Sequence, residues 1–190
     1  MAFKEIEFKY RADEIDFKKF EEFAKSRTPV RFTLASGYDH FYANSKDADA
    51  FCRHRVGPDM NQLTFKRKTT GTDNYIRTEH NIDMKTKVSV PQVEALCKEF
   101  GYTYNTSIFK TCFVYEYEYY TLVYYIVADT SMKEVGRFFE IEAKEDYEWG
   151  ADNAAWDAIV TVERFCKPLG ITPQGRMKKS LWELFRKSAT

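Results

Sequence analysis

The chain has 190 residues, 44% hydrophobic and 31% charged, with 29 Lys and Arg balancing 29 Asp and Glu. That composition supports one folded core and excludes a disordered, collagenous or coiled-coil chain, and the balanced charge leaves nothing global to steer the protein toward nucleic acid or acidic lipid. Any charge-based function is therefore local. Residues 3 to 10 alternate with a period of two, with Glu5, Glu7 and Lys9 on one face and Ile6, Phe8 and Tyr10 on the other, which predicts a strand. Asp13 is placed to cap a helix carrying Phe17, Phe20 and Phe23, closed by Pro29. Four strands are predicted next, near 38 to 43, 51 to 56, 62 to 69 and 75 to 83, separated at Gly57-Pro58 and Gly71. Ser89 and Gln92 form a capping box for a helix that Gly101 stops. Strands near 108 to 119, 121 to 129 and 137 to 144 follow, then a helix opening at Asp152 and a last amphipathic helix over 174 to 187. The order predicts a single α+β domain over 1–190 around one large antiparallel sheet.

The four cysteines, Cys52, Cys97, Cys112 and Cys166, contain no CxxC pair and read as reduced, mostly buried thiols. The amino terminus lacks the apolar stretch of a signal peptide, and the longest apolar run, Tyr119 to Ala128, falls short of the roughly 20 residues that span a bilayer. A cytoplasmic protein without membrane or nucleic-acid partners is expected.

The polar faces of the strands carry the chemistry. They bear fixed charges at two-residue spacing: Arg53 with Arg55, Lys66 with Lys68, Arg77 with Glu79, and Glu140 with Glu142 and Lys144. Residues 53 to 68 have a net charge of +4 and residues 134 to 148 a net charge of −4. Arg and Lys on rigid strands suit phosphate oxygens, and glutamates at i, i+2 suit a hard divalent cation. Isolated, such a strand is usually a solvated face with cross-strand ion pairs. Cations concentrated in consecutive strands, with Glu-x-Glu in the first and last, favour convergence on one interior.

These residues carry a family resemblance. Glu5-Ile6-Glu7-Phe8-Lys9 resembles the ExExK signature of the CYTH superfamily, the triphosphate tunnel metalloenzymes. Phe51-Cys52-Arg53-His54-Arg55, Leu63-Thr64-Phe65-Lys66 and Arg77-Thr78-Glu79 resemble its LRIR, LTxK and RxE strands. Lys110, Asp129, Gly136 to Glu142 and Lys179-Ser180-Leu181 follow in the family's order. The resemblance implies a closed eight-stranded antiparallel β-barrel, a triphosphate tunnel, with helices packed outside. It also implies Mg²⁺ or Mn²⁺ held by Glu5, Glu7, Asp129, Glu140 and Glu142, and phosphate binding by Lys9, Arg53, Arg55, Lys66, Lys68, Arg77, Lys110 and Lys179. Glu5, Glu7, Arg55 and Glu79 are the implied catalytic set. Cys112 stands where the family has the arginine of KxR, and Leu181 where it has tyrosine. Metal-dependent hydrolysis of a nucleoside triphosphate, thiamine triphosphate or inorganic tripolyphosphate is the activity implied first. A class IV adenylate cyclase and a non-catalytic nucleotide or polyphosphate binder are the alternatives.

Overall fold

In the computed structural model, which describes residues 3–68, 76–84, 88–144 and 154–187, eight antiparallel strands follow the predicted order. They are β1 (Phe3–Arg11), β2 (Arg31–Asn44), β3 (Ala50–Gly57), β4 (Met60–Lys68), β5 (Ile76–Asp83), β6 (Tyr102–Glu116), β7 (Tyr120–Ala128) and β8 (Glu134–Ala143). The helices are α1 (Phe17–Lys25), α2 (Val90–Glu99), α3 (Ala154–Phe165) and α4 (Leu181–Phe185). No helix of the described residues is long and apolar enough to cross a membrane.

The strand order runs around a ring, β1-β5-β4-β3-β2-β6-β7-β8. The ring is not sealed along its height. β1 pairs with β5 only over Phe3 to Ile6 and with β8 only over Glu7 to Arg11, so among the described residues it serves one neighbour at a time. The expected eight-stranded antiparallel barrel with helices outside is thus found as a ring of strands that β1 joins by dividing its length between β5 and β8. Along the outer part of β1, on the edge away from β8, the chain's last segment takes the vacant pairing. Arg176 bridges to Tyr10, and the Met177 N–H donates to the Lys9 carbonyl at 2.7 Å.

Alternation in the strands sends apolar side chains outward and charged ones inward. Phe8, Tyr10, Leu122, Tyr124, Phe139 and Ile141 are buried between the sheet's outer face and α1 and α3, with Phe20 and Ile159 of those helices in the same cluster. A smaller cluster under α2 contains Tyr42, Cys52, Leu63, Val93 and Cys97. A third gathers Phe41, Phe51, Val123, Phe138, Leu181 and Trp182 and forms an apolar part of the interior wall, with Phe51 and Trp182 stacked at 5.7 Å.

Local signals and tertiary pairing differ at several boundaries. Asp16, not Asp13, caps α1 by accepting from the Lys19 N–H at 3.0 Å; Asp13 instead accepts from the Arg137 N–H. β2 begins at Arg31 because its first half pairs with β6 from Glu116 to Lys110, a contact no local pattern announces. The helix expected over 174 to 187 shrinks to Leu181–Phe185, because Arg176 and Met177 are drawn into strand pairing and the Ser180–Glu183 capping box starts the helix only afterwards. The Asp152 start of α3 and the Gly71 break lie outside the described residues. Gly37 and Gly57 mark a close approach of β2 and β3: a Cβ on Gly37 would stand 2.4 Å from the Val56 carbonyl oxygen, and one on Gly57 2.5 Å from that of Ser36.

The C-terminal segment is pinned by a buried ion pair. Arg176 donates to both oxygens of Glu163 at 2.6 and 2.5 Å, the Tyr10 hydroxyl donates to the same carboxylate, and the guanidinium lies over the Phe8 ring at 3.8 Å. The Glu163 side chain is 0% exposed, so removing its partner strands a charge. Arg176→Ala is expected to cost about 3–5 kcal/mol, read as a shift of the urea unfolding midpoint.

Candidate active site

The inward faces of the strands enclose a cavity of about 410 Å³. Ten of the residues singled out in the sequence line it: Glu7 and Lys9 from β1, Arg53 and Arg55 from β3, Lys66 from β4, Arg77 and Glu79 from β5, Lys110 from β6, and Glu140 and Glu142 from β8. Each arrives through the two-residue period of its own strand, and strand register then sets its partner. Lys66 faces Glu79, Lys9 faces Glu140, and Arg55 faces Asp39 as direct cross-strand neighbours.

The resulting ion pairs are tight. Lys9 Nζ lies 2.9 Å from Glu7 Oε1 and 2.8 Å from Glu140 Oε1, bridging the two carboxylates. Arg77 Nη1 reaches Glu7 Oε1 at 3.2 Å, and its Nη2 lies 3.8 Å from Glu183 of α4. Lys66 Nζ is 2.5 Å from Glu79 Oε2, and Arg53 Nη2 is 3.8 Å from the other oxygen of Glu79. Arg55 grips Asp39 with a two-bond fork at 2.7 and 2.9 Å. Tyr125 donates its hydroxyl proton to Glu140 at 2.7 Å, and Lys110 Nζ sits 4.1 Å above the Tyr125 ring.

Electrostatics follow from this packing. Burial pushes the Glu7 carboxyl up, but Lys9, Lys66 and Arg77 together outweigh it and hold the group well below the usual carboxylate range. Asp39 behaves alike, burial being overcome by Arg55 and then by Arg53 and Lys110. Burial pulls the Lys9 ammonium down, yet Glu140 and Glu7 reverse the effect and raise it. The Tyr125 hydroxyl is pushed well above its ordinary value by burial and by Glu140. Cys112 lines the cavity as a half-buried thiol, and burial pushes it up as well.

Other expectations are corrected or fall outside. Asp129 sits at the β7–β8 turn, where Oδ1 accepts from the Ser131 N–H, the Ser131 hydroxyl and the Lys133 N–H at 2.8, 2.6 and 3.1 Å, a turn-capping role rather than a cavity one. Lys68 and Lys179 are exposed and do not line the cavity, although Lys68 is the register partner of Arg77 and Lys179 precedes Ser180 and Leu181, all three of which do. Glu5 keeps its register opposite Arg77; its side chain is outside the described set. Asp39 is the chief residue the sequence reading missed. The available signal was parity: it stands two places before Phe41, on the inward face of a strand whose neighbour carries two arginines. Trp182 also walls the cavity. Among the described residues no group of three or more carboxylates, imidazoles or thiols is gathered as a metal cage.

No family model matches the sequence, and no curated protein does. Solved structures do match. A conserved hypothetical protein of Pyrococcus furiosus superposes with a TM-score of 0.67 at 20% identity, covering 95% of this chain and 99% of the other. Candidate adenylate cyclases are similar too: one from Vibrio parahaemolyticus has a TM-score of 0.66 at 12% identity over 97% and 98% of the two chains. A second, from Bacillus halodurans, has a TM-score of 0.59 at 14% identity, with the same two coverages. The chain shares the fold of these proteins. At these identities the likeness establishes architecture, and the chemistry has to be argued from the cavity.

The depressed carboxyls give this cavity's stability an acid limb. A carboxyl lowered on folding contributes stability that is complete above its unfolded value, about 4, and is lost as the pH falls below it. The unfolding free energy is therefore expected to hold steady through neutral pH with respect to Glu7 and Asp39 and to decline below about pH 4. Asp39→Asn should flatten that decline in urea melts taken from pH 3 to 7.

Proposed function

We propose that this protein is a metal-dependent triphosphatase whose charged cavity is the substrate tunnel. One observation carries the reading: Lys9, Arg53, Arg55, Lys66, Arg77 and Lys110 converge on an interior that also holds Glu7, Asp39, Glu79, Glu116, Glu140 and Glu142. An enclosed set of six cations exceeds what any fold needs for stability, since buried ion pairs gain little over apolar packing. It suits a ligand with many anionic oxygens in a row.

The same count bears on metal. The formal charges of these twelve side chains cancel. A triphosphate carries about four negative charges, and bringing it from water into a neutral interior is costly unless cations accompany it. Donor chemistry agrees: Glu7 and Glu142 are cross-strand partners, and Glu140 lies one inward position along β8. Hard carboxylate oxygens of this kind fit Mg²⁺ or Mn²⁺, with Glu5 a further donor from the set the family resemblance implies and Asp129, in its turn, left out. When bound, such an ion supplies charge neutralisation and polarisation of phosphoryl oxygens.

The chain's own residues do the rest. Lys9 and Arg77, now paired with Glu7 and Glu140, would be released to bind substrate oxygens if those glutamates held a divalent ion. Arg53, Arg55 and Lys66 stabilise charge gathering on the departing diphosphate, and Glu79 holds Lys66 and Arg53 in position. The apolar wall of Phe41, Phe51, Leu181 and Trp182 excludes water from its part of the interior.

A second reading, an adenylate cyclase, draws support from Asn81. This residue lines the cavity two places after Glu79 and accepts from the Thr64 hydroxyl at 2.7 Å, leaving its amide protons for a nucleobase. Product analysis separates the two. With ATP, thiamine triphosphate and tripolyphosphate under Mg²⁺ and Mn²⁺, free phosphate is the expected product; cyclic AMP with diphosphate would make it the cyclase, and binding without product a non-catalytic module. Glu7→Gln should lower metal-dependent turnover on the order of 100-fold, and Arg55→Ala should raise the substrate concentration needed and slow turnover. Omitting the divalent ion should abolish tripolyphosphate binding in calorimetry, as the neutral cavity requires.

A further inference from the structure

Asp39 differs from the other carboxylates of the cavity in place and in occupation. Glu7, Glu140 and Glu142 stand on β1 and β8, whereas Asp39 stands on β2, four strands from β1 in either direction around the ring. Both of its oxygens are taken by a single guanidinium, Oδ1 by Arg55 Nε at 2.7 Å and Oδ2 by Arg55 Nη2 at 2.9 Å. Asp39 is 2% exposed, while the Arg55 side chain keeps 24% of its surface open and lines the cavity. A carboxylate engaged in this way is poorly placed to hold a metal ion. It fixes the plane and the heading of its partner.

We infer that Asp39 is a positioning residue, one that locks Arg55 so that its remaining N–H groups, on Nη1 and the outer side of Nη2, are the ones presented to a phosphoryl oxygen. This rests on reading the cavity as a triphosphate site. An arginine on a strand retains several rotatable bonds, and orienting it costs entropy each time a ligand binds. The Asp39 fork meets that cost during folding. The local backbone fits the arrangement: at Gly37 and Gly57, each two residues from a member of the pair, the facing strand leaves no room for a Cβ, and Asp39 and Arg55 are direct register partners. Cys112 and Lys110 on β6 offer no second guanidinium on this side of the cavity, so the heading of Arg55 decides how an oxygen there is held.

The test is a double-mutant cycle with Asp39→Asn and Arg55→Lys, read on tripolyphosphate hydrolysis with Mg²⁺ titrated at each corner. Asp39→Asn should lower kcat by about tenfold, leave the half-saturating Mg²⁺ concentration within about twofold of wild type, and add nothing to the loss in Arg55→Lys. Additive losses would overturn the proposal. So would a shift in Mg²⁺ dependence like that expected of Glu7→Gln, which would mark Asp39 as a metal ligand. Asp39→Glu keeps the charge but moves the carboxylate by one methylene; it too should lose activity, and full activity in this variant would show that charge alone suffices. This second variant decides the matter if Asp39→Asn does not fold. If the wild type hydrolyses no triphosphate, the functional reading falls, and the same cycle is run on the Kd of tripolyphosphate with Mg²⁺ by calorimetry. Non-additivity there upholds the positioning role, while additivity, or no binding at all, removes it.

Discussion

Among the described residues six cations and six carboxylates share the inside of one curled sheet, and the rest of the molecule is arranged around holding them there. Charges at this depth are tolerated only when each finds an opposite partner at hydrogen-bonding distance. Strand register supplies that condition cheaply, because cross-strand neighbours are a few ångströms apart by construction. Lys66 with Glu79, Lys9 with Glu140 and Arg55 with Asp39 are all register partners. The resulting interior is preorganised: its groups are ionised and held before any ligand arrives, which is the condition under which fixed dipoles and charges act most strongly on a reacting centre.

A sheet with charged contents cannot use its inside as its main hydrophobic core. The fold therefore places that core outside, where Phe8, Tyr124, Phe139 and Ile141 meet Phe20 of α1 and Ile159 of α3. The seam is handled by the same economy. β1 divides its length between β5 and β8, and the C-terminal segment covers the edge that remains, anchored by Arg176 on Glu163 and ending in α4. Leu181 and Trp182 of that helix then become wall residues of the cavity, and Glu183 reaches Arg77. Residues 176–185 are thus part of the site's architecture and not an appendage to it.

Where the sequence reading succeeded and failed has a common explanation. Glu7, Lys9, Arg53, Arg55, Lys66, Arg77, Glu79, Lys110, Glu140 and Glu142 were legible because each lies on a strand whose period of two separates inward from outward positions. Lys68 and Lys179 carry the right charge, but parity and family order do not set how far a side chain is covered, and both are exposed. Asp129 was placed on the strength of family order alone, and the turn it caps uses its carboxylate locally. Asp39 went unnoticed because a single acid in an aromatic stretch gives no alternation of charge; its role appears only when β3 brings Arg55 beside it.

By itself the sequence determined the element order, the α+β class and which face of each strand is polar, since these depend on residues a few positions apart. The tertiary structure alone decided that β1 splits between two neighbours, that β2 starts at Arg31 through pairing with β6, and that residues 176 and 177 pair with β1 instead of extending a helix. It also decided which cation each carboxylate meets. Those outcomes rest on contacts between residues tens to more than a hundred positions apart, as with Arg77 and Glu7 or Arg176 and Tyr10, and a period of two carries no record of such separations.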